Sequence, residues 1–92
     1  MINDESVYVN CLYLYNIFGI IGIFEVKQYN PYTEYFDVDI LWSNENNNNN
    51  NNKTLVHKSV FFSNISYGLW REIRPNEIDV LVNHYKLKIC TL

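Results

Sequence analysis

Hydrophobic and polar positions alternate most regularly in YFDVDILW, where Phe36, Val38, Ile40 and Trp42 interleave with Asp37 and Asp39. A period of two sends successive side chains to opposite faces of an extended chain, so this segment predicts a strand with one dry and one wet face. Upstream, VYVNCLYLY and GIIGIFEV are rich in β-branched and aromatic residues and predict two buried strands, with Gly19 and Gly22 suiting a bend or bulge between them. Downstream, TLVHKSVFF places Val56, Val60 and Phe62 on one side with Lys58 among them, a weaker strand that pairs back onto YFDVDILW as a long hairpin. Leu69 to Ile73 reads as one further short strand.

The last segment, NEIDVLVNHYKLKICTL, supports two readings. Alternation of Ile78, Val80 and Val82, then Tyr85, Leu87 and Ile89, predicts a terminal hairpin turning at Asn83-His84, the reading preferred for its valines and isoleucines. The spacing of Ile78, Leu81, Val82 and Tyr85, behind Pro75 and Glu77, fits a C-terminal helix instead. Turns are marked by Asn30-Pro31, by NISYG at 64–68 and by Pro75-Asn76. Between the two central strands lies the low-complexity segment 43–53, containing Asn46 to Asn52, expected to be a disordered loop at the surface end of the hairpin. The fold class predicted is therefore mainly β: one small domain over residues 1–92, an antiparallel meander of about six strands, arranged as a sandwich or partly open barrel.

Length sharpens this picture. A 92-residue chain buries only roughly 60 to 65% of its unfolded surface, so the core needs nearly every apolar residue, and both Trp42 and Trp70 are expected to be substantially buried. Alanine is absent, while Asn, Ile, Tyr, Phe and Lys make up nearly half the chain, a bias that follows AT-rich codons rather than a chemistry. The asparagine run and the tyrosine excess need no functional explanation on that account.

From Ser6 to Phe24 no residue is charged, a length that approaches a bilayer span. Against a span stand Asn10 and Asn16 within it, tyrosines 8, 13 and 15 scattered rather than gathered at the interfaces, and flanks without a positive-inside signal. Strands are the preferred reading, and a single-pass membrane-associated protein anchored by residues 7–24 is the alternative. The acidic start MINDES lacks the positive region of an export signal, which favours the cytoplasm.

The net charge of -3 divides unevenly: Met1 to Glu45 holds seven acids and only Lys27, whereas Lys53 to Leu92 holds six bases and three acids. Attraction between the halves of one fold accounts for this more simply than nucleic-acid binding, since Arg71, Arg74, Lys86 and Lys88 are sparse. Asp37 and Asp39 have the Asp-x-Asp form that holds divalent cations in some transferases and nucleases, but the same acids are needed to wet the outer face of their strand. His57 and His84 lack zinc-ligand spacing, Cys11 and Cys90 read as small buried or half-buried thiols, and no glycine-rich phosphate loop is present. The sequons at Asn52 and Asn64 arise by chance in an asparagine-rich chain.

The sequence thus offers no catalytic, cofactor-binding or metal-ligating residues. It predicts a non-enzymatic binding or scaffolding protein without a cofactor, whose partner is a protein rather than a nucleic acid or small-molecule substrate.

Overall fold

The computed structural model describes residues 5–45 and 52–90. Six strands form one open antiparallel sheet: β1 (Leu12–Ile17), β2 (Ile20–Asn30), β3 (Tyr35–Ser43), β4 (Lys53–His57), β5 (Trp70–Ile73) and β6 (Lys88–Ile89). The first four form the predicted meander. The full order is β4-β3-β2-β1-β5, with β6 joining the far end of β3 beyond β4.

The uncharged run is explained by this order. β1 and β2 are central strands, and adjacent residues Tyr13 and Leu14, or Ile23 and Phe24, are buried on opposite faces. A strand dry on both faces shows continuous hydrophobicity instead of alternation, which is how one hairpin can imitate a membrane span. Among the described residues, no helix is long and apolar enough to cross a membrane. The turn that closes the hairpin is Phe18-Gly19, with φ of 52° and 83°, matching the two positive φ values of a type I′ turn.

Two segments depart from the strand readings. TLVHKSVFF divides at His57 into β4 and helix α1 (Lys58–Ser66), and the terminal segment forms helix α2 (Ile78–Tyr85) before the short β6, so the C-terminal helix replaces the preferred hairpin. Topology overrides propensity here. β4 and β5 run parallel at opposite edges of the sheet, so the chain must cross a whole face between them, and α1 makes that crossing. The His57 side chain accepts a hydrogen bond from the Ser59 N–H and caps the helix start. In the 3-10 turn Pro75–Glu77 that leads into α2, the Glu77 carboxylate accepts the Arg74 N–H at 2.7 Å, and Lys86 at φ 56° ends α2 in a left-handed cap.

Each helix covers one face. Phe61 of α1, wholly buried, packs on Tyr13, Phe24, Val26, Phe36 and Val38, while α2 brings Ile78, Leu81, Val82 and Tyr85 onto Leu14, Ile23 and Ile73. Two bulges set which β3 side chains meet which helix. Pairing passes from Ile23–Trp42 to Phe24–Ile40, leaving Leu41 as an extra residue, and from Val26–Val38 to Gln28–Asp37, leaving Lys27. Strict alternation would put Trp42 with Phe36, Val38 and Ile40, but the Leu41 bulge turns it to the α2 side. Both tryptophans are half-buried rather than fully enclosed.

The asparagine run is partly inside the described residues. Asn52 is buried and its carbonyl accepts the Ile40 N–H at 2.8 Å, so the last member of the run belongs to the β3–β4 pairing. Of the segment 43–53 expected to be a disordered loop, Ser43 is buried at the end of β3 and Lys53 opens β4, so the strands reach further than expected, while Asn46 to Asn51 lie outside the described residues.

Candidate functional site

α1 has nine residues and is roughly 13 Å long, whereas β2 with eleven extends over roughly 36 Å. One helix therefore cannot cover the face it crosses. Among the described residues, α1 lies over Tyr13 and Phe36 and leaves the part of the face towards the β1–β2 turn open, and α2 lies over the turn-proximal part of the other face, leaving the opposite part open there. The two uncovered regions are diagonal to each other and differ in chemistry.

On the α2 side the uncovered region is mixed and carries most of the charge. Gln28, Asn30, Thr33, Tyr35, Asp37 and the exposed Leu55 surround a cleft of about 350 Å³, continued by Lys27, Asp39 and Lys53. Asp37 accepts from Gln28 Nε2 at 2.6 Å and Asp39 from Lys53 Nζ at 3.3 Å, so the two carboxylates serve the wet face and do not converge. Among the described residues, no group of three or more His, Cys, Asp or Glu is arranged to hold a metal ion.

On the α1 side the uncovered region is apolar. A groove of about 270 Å³ has Phe24 and Val38 at its floor, Tyr15, Ile17 and Trp70 along one wall and Ile40, Thr54 and Val56 along the other. Among the described residues, Glu45 is the one charged residue that lines it. Trp70 is held upright by edge-on contacts to Phe24 and Phe61, with ring centroids 4.9 and 5.5 Å apart. Tyr15 crosses Gly22 on the paired strand and shares a hydrogen bond with the buried Ser43 hydroxyl; burial raises its pKa, partly offset by that bond. The Tyr15 ring is thus a fixed, neutral wall at physiological pH.

At the rim of this groove stands the β1–β2 turn. Phe18 is 101% exposed, and Ile20 beside it is 43% exposed, while Ile17 belongs to the groove wall itself.

The histidines take positions that their spacing did not predict. His57 Nδ1 lies 2.9 Å from Ser59 Oγ and its Nε2 lies 3.8 Å from Glu34 Oε1, the residue types of Ser-His-acid hydrolysis. The geometry serves the helix instead: Nδ1 accepts the Ser59 backbone N–H, and the other Glu34 oxygen is held by Lys58 at 2.8 Å. Lys58 lowers the Glu34 pKa by hydrogen bonding and charge, and Glu34 raises that of Lys58. His84 is exposed and lies edge-on to Tyr85.

Cys11 and Cys90 are free and half-buried, and burial raises the pKa of both, with the Glu72 charge adding to it at Cys11. The basic residues are dispersed: Arg71 pairs with Glu77 on the β5 edge, whereas Lys88 lies in β6 on the opposite side of the sheet. The apolar groove residues were legible as core material, but not as a site. The signal was quantitative: more large apolar groups on one face than a nine-residue helix can bury. Comparison with known proteins finds no family model, no curated protein and no solved structure that matches the chain.

Proposed function

We propose that this chain is a small non-enzymatic binding module, and that the apolar groove beside α1 receives an apolar side chain of a protein partner. The supporting observation is the contrast between the two uncovered regions of one sheet. Where α2 leaves the sheet bare, the sequence supplies Gln28, Asp37 and Asp39 around Leu55; where α1 leaves it bare, it supplies Tyr15, Ile17, Ile40 and Trp70, with Thr54 and Glu45 at the opening. Exposed sheet faces are normally wet, and a groove walled by half-buried aromatic and aliphatic side chains suits an apolar anchor. Rigid aromatic walls around a pocket are also where interfaces concentrate their binding energy.

A displayed library of random peptides, selected against the intact chain and against Thr54→Arg, tests this reading. Thr54 is an exposed groove residue, and arginine there fills and charges the opening. The expected result is enrichment of peptides with one aromatic or large aliphatic anchor that bind Thr54→Arg at least about tenfold more weakly. Failure to enrich any peptide, or enriched peptides indifferent to Thr54→Arg, would overturn the reading.

A further inference from the structure

Resting on that reading, we propose that the groove's partner is a second copy of this chain, with Phe18 of each hairpin turn seated in the groove of the other. Phe18 occupies a left-handed backbone position, at φ 52°, that suits asparagine or glycine and disfavours a bulky side chain. It gains no packing in return, being wholly exposed. An aromatic residue that is locally unfavourable and makes no contact within its own molecule is matched to something outside it.

The chemistry of turn and groove correspond. The turn is an uncharged knob of Phe18 and Ile20, and the groove is walled by Tyr15, Ile17, Ile40 and Trp70. Its volume of about 270 Å³ admits a phenyl ring, since a cavity of about 150 Å³ holds benzene. The positions also correspond. Ile17 lines the groove and Phe18 follows it, so knob and groove share a rim, and a two-fold axis through that rim lets each knob reach the other's groove. Such a contact is reciprocal and closes at two copies. A lipid surface fits less well, because the Glu45 carboxylate lines the groove and anionic headgroups repel it. Two knobs bury less than the roughly 1,200 Å² of a stable interface, so the dimer is weak and its population rises with concentration.

Sedimentation equilibrium over a concentration series of the intact chain, Phe18→Asn and Thr54→Arg tests this. Asparagine suits the turn, so Phe18→Asn keeps or raises the melting temperature while removing the knob. The intact chain is expected to show a monomer–dimer equilibrium, weakened at least about tenfold in either variant. An equimolar mixture of the two variants is expected to associate better than either alone, because the Phe18 of Thr54→Arg meets the intact groove of Phe18→Asn. A monomeric intact chain, or association indifferent to both substitutions, would overturn the proposal. So would a monomeric chain that sediments with phosphatidylcholine–phosphatidylserine vesicles through Phe18. If the chain stays monomeric yet selects Thr54-sensitive peptides, self-pairing fails and the groove reading stands.

Discussion

The phenol of Tyr15 lies directly over Gly22 on the neighbouring strand, and the Trp42 carbonyl closes the same space from the β3 side, so a β-carbon at position 22 has no room. The contact fixes one wall of the groove by denying Gly22 a side chain. Gly22→Ala is expected to displace Tyr15, break its bond with Ser43 and cost about 1–3 kcal/mol, as overpacking does. Urea denaturation measures the loss, and an unchanged midpoint would show that the ring yields freely. Gly19 makes the complementary case: space is open around it, but its φ of 83° strains alanine and tolerates asparagine.

Phe61 is the centre of the α1-side core. Its ring lies 4.3 Å from that of Phe36 and 5.3 Å from that of Tyr13, centroid to centroid, with no exposed surface. Phe61→Ala is expected to cost about 3–5 kcal/mol, a large share of a small domain's stability. Circular dichroism should show a chain largely unfolded at 37 °C, whereas Phe62→Ala, at a half-buried position, leaves a folded domain of lower melting temperature.

His57 is a cap by geometry. His57→Ala should cost about 1 kcal/mol, and His57→Asn should restore most of it, because asparagine is a standard acceptor for the first helical N–H groups. Thermal melts of the three proteins decide this. Equal losses for alanine and asparagine would count against capping.

Titration separates two pH regimes. Burial and the Glu72 charge raise the pKa of Tyr13 well above its ordinary value of 10.0, and burial also raises Tyr15, Cys11 and Cys90. Groups raised in the folded state contribute stability below their unfolded pKa and lose it as pH climbs from that value through the folded one. Stability is therefore expected to be level through neutrality and to fall from about pH 9 upward, more gently in Tyr13→Phe. On the acid side, Glu34 is lowered by Lys58 and Glu77 by the Arg74 N–H. Their contribution is present above the ordinary value of 4.5 and fades as pH falls through the lowered values; both are exposed, so the acid loss is the smaller. Denaturation midpoints from pH 3 to 11 test both signs.

Replacement of Asn46 to Asn51 by a Gly-Ser linker of equal length is expected to change stability by less than about 1 kcal/mol, since closure depends weakly on what fills a loop. Extending the replacement through Asn52 should cost more, because that residue is buried within the β3–β4 pairing. Equal midpoints for the two linkers would show that Asn52 has no particular place.

The strand content was legible because β1, β2 and β3 satisfy their period or their continuous burial locally. The helices were less legible. Val60, Phe61 and Phe62 favour strand by type, and only the need to carry the chain from β4 to β5 across a full sheet face makes the segment helical. Trp42 shows a subtler loss: one extra residue, Leu41, reverses its face, and nothing in YFDVDILW announces it. The groove was invisible for a further reason, since whether Tyr15 and Trp70 are core or surface depends on the reach of a helix that begins 43 residues after Tyr15.

Asn52 also bears on heredity. A homopolymer of one residue type gains and loses members by slippage of its codons, and in most segments such a change would shift every downstream side chain into the wrong place. Here any insertion or deletion within the run still leaves an asparagine immediately before Lys53, seated against Ile40 as before. A tract one asparagine longer or shorter would therefore present the same residue at the anchored position, and the β3–β4 register would not depend on the length of the run.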